Sequence, residues 1–269
     1  MKWLQKLFQS EEKHKMGLHG PDPLDLRDRH KIPVAADEYR PINLAPRPGL
    51  VRNQKKTNAC SGYAGSSGLE IIADKMKKKA GIDNWDIQLS ALELYYHARQ
   101  DKRSDGGAFM RDLMKAMHRF GTIERRYWTD IDSPLHRPVN LDHVSRFAIR
   151  GSYERIAITG DSRTVEDCIK VLSAEKLPIW IGMPMYENQT RRAGHGHVYT
   201  IPAKNERNTG GHAMVIVGWK YEGTKRVFIV QNSWGTGWGN GGFFYLDEAV
   251  IAGGFQYVFD LWTVGREYF

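Results

Sequence analysis

Between residues 60 and 121 the apolar positions recur at helical spacing. Leu69, Ile71, Ile72 and Met76 follow Cys60 at intervals that a helix can use. Ser90-Ala-Leu-Glu93 has the form of a capping box, in which a serine hydroxyl satisfies an orphan N–H, and it opens a helix through Tyr95, Tyr96 and Ala98. Met110, Leu113, Met114, Met117 and Phe120 mark a further helix that Gly121 is placed to end. After about residue 150 the pattern changes. One helix is predicted over 164–175, and short apolar runs at 178–182, 213–218, 227–230, 242–246 and 257–262 suit buried strands. The expectation is an α+β chain with a mainly helical lobe over 25–150 and a mainly β, barrel-like lobe over 151–269, together one domain with a cleft where ligands bind.

Residues 1–24 are polar, charged and broken by Gly20-Pro-Asp-Pro23, and are expected to form a flexible extension. Asp25-Leu-Arg-Asp28 begins the ordered body, and Pro33, Pro41, Pro46 and Pro48 favour extended chain up to Val51. The stretch from Cys60 is the anomaly. Gly62, Gly65 and Gly68 each cost a helix roughly 0.8–1 kcal/mol relative to alanine. A helix there has to be held by tertiary contacts, and its small residues let other backbone come close.

Composition narrows the function classes. The 269 residues are 41% hydrophobic and include eight tryptophans, enough for a substantial core. There is no apolar run of about 18 residues, so no membrane span is expected, and the N-terminal stretch is too short and interrupted for a secretory signal. Two cysteines, Cys60 and Cys168, fit a reducing, cytoplasmic setting with free thiols. Val165, Cys168, Ile169 and Leu172 share one helical face, which makes Cys168 a core residue. The net charge of +8 raises the question of nucleic acid. The basic residues are scattered, however, and the densest cluster, Lys75 and Lys77 to Lys79, falls in a helix's last turn, where lysines complement the dipole. Nucleic acid is therefore not an expected partner.

The candidate chemistry lies at four positions. Cys60 at a helix N-terminus has the environment that stabilises a thiolate. His212, after Gly210 and Gly211 and before an apolar strand, is the candidate base, and Asn232 twenty residues on is able to orient its imidazole. Trp234 is placed to shield that bond, and Gln54 has an amide to aim at a developing oxyanion beside the Cys60 N–H. Taken alone, Cys60 would be read as a buried free thiol; the ordered set Gln54, Cys60, His212, Asn232 outweighs that reading. His195 and His197 have no cysteine or carboxylate at ligand spacing and are read as loop surface near the cleft, so no metal and no cofactor is assigned.

From Asp25 to the C-terminus the sequence resembles the papain-like cysteine peptidases. Val51-Arg-Asn-Gln54 and Cys60 resemble the oxyanion glutamine and nucleophile, Gly211-His-Ala213 the base segment, and Asn232-Ser-Trp-Gly235 the orienting segment. Leu89 to Leu94 and Asp105-Gly-Gly107 resemble the helix after the nucleophile and the substrate-binding double glycine. The resemblance implies a papain-like two-lobed fold and hydrolysis of a protein or peptide through a thioester, with Gly106, Gly107, Phe109, Gly211, Ala213 and Trp234 contacting substrate. Pairing with His212 is then expected to lower the Cys60 thiol into the roughly 3.5–7.5 range of activated cysteines.

Two departures qualify the resemblance. Thr57-Asn-Ala-Cys-Ser61 replaces the family's Cys-Gly-Ser-Cys-Trp, so a disulfide cysteine and an aromatic of the cleft wall are missing, as in intracellular bacterial or phage members. Only about 25 residues precede the body, too few for the usual helical propeptide. The expectation is an enzyme active as made, restrained by narrow specificity, by delivery as an effector, or by an inhibitor or immunity partner. Transfer or deamidation by the same Cys-His pair, and a non-catalytic basic binding module, are the alternatives.

Overall fold

The computed structural model describes residues 14–36, 38–45, 51–81, 87–141 and 143–265. Three helices come first, α1 (Cys60–Lys79), α2 (Ala91–Ala98) and α3 (Met110–Arg119). The first fourteen residues of α1 are all buried. A helix covered on every side needs no polar face, which is why its apolar periodicity is weak. The glycines explain how it fits. A Cβ on Gly62 would lie 2.1 Å from the Ala91 carbonyl oxygen in α2, and one on Gly68 would lie 2.3 Å from the Trp180 ring. Trp180 Nε1 in turn donates to the Ala64 carbonyl at 2.9 Å, so α1 is bonded to the sheet it touches.

At α2 the Ser90 hydroxyl accepts from the Glu93 N–H at 3.2 Å, as the capping pattern predicts. Glu93 does not complete the box. Its buried carboxylate pairs with Arg137 and Arg146 and pins the 137–146 segment onto α2. Gly121 after α3 has φ +63°, the left-handed conformation that ends a helix.

The strands are β1 (Ile42–Asn43), β2 (Tyr153–Arg155), β3 (Ile179–Tyr186), β4 (Asn208–Glu222), β5 (Lys225–Gln231), β6 (Phe243–Asp247) and β7 (Asp260–Val264). They form one antiparallel sheet in the order β2-β7-β3-β4-β5-β6, with β1 on β4 opposite Gly218 and Trp219. The path is not closed by hydrogen bonds, so the lobe is barrel-like only in a loose sense. Each predicted apolar run overlaps a strand. The helix predicted over 164–175 is α4 (Ser162–Lys170) continued by a wider π turn over Val171–Glu175, and Cys168 is fully buried in it. Helix α5 (Glu187–Gly194) carries no such signal in the sequence, because only Gln189 and Ala193 of its eight residues are buried and no apolar stripe marks it. A short helix α6 (Glu248–Ala252) follows β6. One hydrophobic cluster runs through both lobes.

The polar segment before Asp25 is not free chain from residue 14 onward. Both carboxylate oxygens of Asp22 accept the Arg111 N–H in the first turn of α3, at 3.0 and 3.1 Å. Asp22 Oδ2 also accepts from Trp262 Nε1 at 3.0 Å. The breaker Gly20-Pro-Asp-Pro23 thus holds a buried helix cap, a role that composition alone does not reveal.

Gly62→Val tests the close approach. Its side chain meets backbone rather than a movable side chain, so overpacking of about 2–3 kcal/mol is expected, read as a fall in the urea midpoint with an unchanged slope.

Candidate active site

Cys60 is the first residue of α1 and is fully buried. β4 passes the same helix end, and backbone hydrogen bonds from Ala213 and Gly17 reach the Cys60 sulfur. His212, also fully buried, donates from Nε2 to Asn232 Oδ1 at 2.8 Å. That bond puts the neutral ring's proton on Nε2, and the buried Nδ1 has no partner among the described residues. Asn232 Oδ1 also accepts the Ser233 N–H at 2.7 Å, which fixes the amide. Trp234 stacks on the His212 ring with centroids 4.7 Å apart and covers one face of the pair.

Gln54 is held from both lobes. Its N–H donates to the Ser233 carbonyl at 2.8 Å, and its Oε1 accepts from the Ser233 hydroxyl at 2.6 Å. Two residues earlier, buried Arg52 bonds the Leu89 carbonyl, Ser66 and Glu70, fastening the same loop to α1 and to the start of α2. With Oε1 engaged, Nε2 donates to the carbonyls of Thr57 at 2.9 Å and of Lys15 at 3.1 Å. Asp105 completes the frame by accepting the Asn58 N–H at 3.1 Å and the Tyr95 hydroxyl at 2.7 Å. Arg52, Ser233 and Asp105 do not stand out in the sequence, because each acts on a functional residue rather than on a ligand.

A segment of the chain itself lies in the cleft. Leu18 bridges Gly211 in antiparallel register and Ala108 in parallel register. The bonds are Leu18 N–H to the Gly211 carbonyl at 3.0 Å, His19 N–H to the Ala108 carbonyl at 3.1 Å, and Ala108 N–H to the Gly17 carbonyl at 3.0 Å. The Leu18 side chain is buried over Gly182 and Met110. Of the residues expected to contact substrate, Gly106 bonds His19, Phe109 packs edge-on to His19, Gly211 bonds Leu18, and Trp234 stacks with His14. Gly107, with φ +97°, comes so near the Gly17 carbonyl that a Cβ would lie 2.2 Å from it. Ala213 instead faces Cys60. The expectation of an unobstructed site in the chain as made is corrected by this strap.

Burial opposes the expected thiol activation. Burial pushes the Cys60 thiol up to about 11, against the backbone bonds that favour thiolate. Burial likewise lowers His212 to about 4, with Asn232 acting in the opposite direction. Desolvation favours the neutral form of each group. His195 and His197 are exposed around the end of α5, and no group of three potential metal ligands occurs among the described residues.

A sequence model of the papain family of cysteine proteases matches residues 45–253. The chain belongs to the papain family of cysteine proteases. A peptidase C1-like protein of Acanthamoeba polyphaga mimivirus is 28% identical over 172 residues, which is 61% of this chain and 54% of that protein. A cysteine protease of Blomia tropicalis is 26% identical over 212 residues, 74% of this chain and 57% of its own length. The chain therefore spans little more than half the length of these papain-family relatives. Among solved structures, xylellain, a cysteine protease from Xylella fastidiosa, superposes with a TM-score of 0.74 at 23% identity, covering 94% of this chain and 97% of its own. Procathepsin L2 from the larval midgut of Tenebrio molitor gives 0.68 at 20%, covering 98% and 86%. At these identities the superpositions show the papain fold.

The two neutral groups set a pH window. Relative to ordinary values of 6.5 for histidine and 9.0 for cysteine, the His212 contribution to the covered state is complete above about pH 6.5 and is lost as pH falls toward 4. The Cys60 contribution is complete below about pH 9 and is lost as pH rises through 11. Ring 15N shifts of His212 should report a neutral imidazole down to about pH 5, whereas titration near 6.5 would mean that the ring is solvated.

Proposed function

We propose that this papain-family chain is a cysteine-type peptidase with Cys60, His212, Asn232 and Gln54 as its reacting and stabilising groups, held latent by residues 14–19. The observation that carries the reading is the His212 ring, bonded through Nε2 to Asn232 and open at Nδ1, on the strand whose next residue bonds the Cys60 sulfur. An imidazole fixed in that tautomer has its lone pair free to take the thiol proton once water reaches the site.

With the strap displaced, Cys60 thiolate attacks a substrate carbonyl carbon, and the oxyanion is held by the Cys60 N–H and the Gln54 amide. His212 then protonates the departing amine, and water deprotonated by the same ring hydrolyses the thioester. The donation of Gln54 Nε2 to the Lys15 carbonyl supports its part, since the amide already holds a peptide oxygen. The strap meets the site at two points. The Cys60 sulfur receives a backbone N–H bond from Gly17, while the carbonyl on Gln54 belongs to Lys15.

The products test the reaction class. Added to a reduced lysate, the strap-released Gly17→Ala protein should create new protein N-termini that the same variant carrying Cys60→Ala does not. Transfer or deamidation would leave backbone termini unchanged and would refute peptidase action. Gln54→Ala should fold normally and lose roughly 10²–10³ in kcat, as removal of one oxyanion donor does.

Latency is tested separately at Gly17, where a Cβ would lie 1.9 Å from the Asn58 carbonyl oxygen. Gly17→Ala should dislodge the strap and speed both peptide hydrolysis and iodoacetamide labelling of Cys60. Equal rates in wild type and variant would show that the strap does not limit access.

A further inference from the structure

Outside the cleft, a cavity of about 500 Å³ opens between residues 25–29, the exposed side of α3 and residues 150–153. Its size is that of a small-molecule site. The lining contains five cationic side chains, Arg27, Arg29, Arg111, Lys115 and Arg150, against two carboxylates, Asp25 and Asp28.

Both carboxylates are already engaged. Asp25 accepts from the Arg27 guanidinium at 2.7 and 2.9 Å, and Asp28 accepts from Arg111 at 2.6 and 2.9 Å. Asp28 is also within 3.6 Å of Arg155. What remains is positive. Arg29 and Arg150 have no carboxylate partner among the described residues, and Lys115 has only Asp112 at 4.0 Å. Three like charges around one hollow repel one another, and among the described residues the two carboxylates of the lining are taken up by other guanidinium groups. The Ser152 hydroxyl is turned away to Glu154, so the cations rather than this hydroxyl set the chemistry.

We propose that this cavity is a binding site for a small, multiply charged anion of the phosphate class. Two guanidinium groups and an ammonium on different walls suit a ligand with acceptor oxygens in several directions, because guanidinium pairs bidentately with phosphate and lysine serves it as a point charge. A lone carboxylate offers oxygens in one plane only. The site is assembled from three separated segments, and one of its walls is the chain that continues from the strap.

Titration calorimetry of the full chain with pyrophosphate, inorganic phosphate and citrate tests this. The expected result is saturable one-to-one binding of pyrophosphate, tighter than inorganic phosphate and weakening with salt. Lys115→Ala and Arg150→Ala, both at exposed positions, should each weaken it about tenfold or more while leaving the ligand-free melting temperature in place. No saturable binding, or undiminished binding in both variants, overturns the site. Citrate binding as tightly as pyrophosphate overturns the phosphate class.

Discussion

The arrangement of this molecule depends on how closely α1 approaches its neighbours. Gly62 lets α2 backbone come within contact of the helix, and Gly68 admits the Trp180 ring from the sheet. With a side chain at either place the helix would stand off, and its first residue, Cys60, would move away from β4. Three glycines in a helix are costly in isolation, at roughly 0.8–1 kcal/mol each. The burial of fourteen consecutive residues and the Trp180 bond to Ala64 offset that cost. Helix propensity is set aside at the point where a nucleophile has to be positioned between two lobes.

The same close packing governs the electrostatics. Cys60 and His212 are both fully buried, and desolvation moves their proton affinities apart, the thiol up and the imidazole down. An ion pair between them would need water or fixed dipoles to replace lost hydration. Some dipoles are present, in the N–H groups that reach the sulfur and in the Asn232 amide on the ring. They do not outweigh burial while the strap is docked. Desolvation of this kind favours the neutral thiol over the expected thiolate.

How much of this was legible in the sequence follows from what kind of group carries each feature. Gln54, Cys60, His212 and Asn232 are singled out by residue type and order, because the chemistry proposed for them belongs to side chains. Lobes and strands were legible because apolar period reports burial directly. The strap acts mainly through backbone: Gly17, Leu18 and His19 pair with Ala108 and Gly211, with Leu18 buried and Met16 partly buried as its apolar contacts. Such a segment has no periodicity and reads as polar linker. Asp22 was hidden for a related reason, because a cap on α3 is recognisable only when the distant helix N-terminus is known. The basic cavity draws on residues 25–29, 111–118 and 150–153, none of which is a conspicuous charge run.

These hidden features share one location. The strap leaves the cleft at His19, is fixed at Asp22 by α3 and Trp262, and enters the wall of the basic cavity at Asp25. Asp22 also donates its N–H to the buried carboxylate of Asp260, whose proton affinity is raised by burial and the nearby Asp22 charge and lowered by Arg155. Arg155 binds both Asp260 and Asp28, so the anchor and the cavity wall share one buried ionic network. Removing one member of such a network leaves its partner desolvated and uncompensated, which costs more than the bond itself is worth. The strap is therefore fixed at two places, by Leu18 in the cleft and by the polar anchor behind it. Release of the cleft segment does not require the anchor to open, because the backbone pairs at 17–19 are separate from the bonds at Asp22.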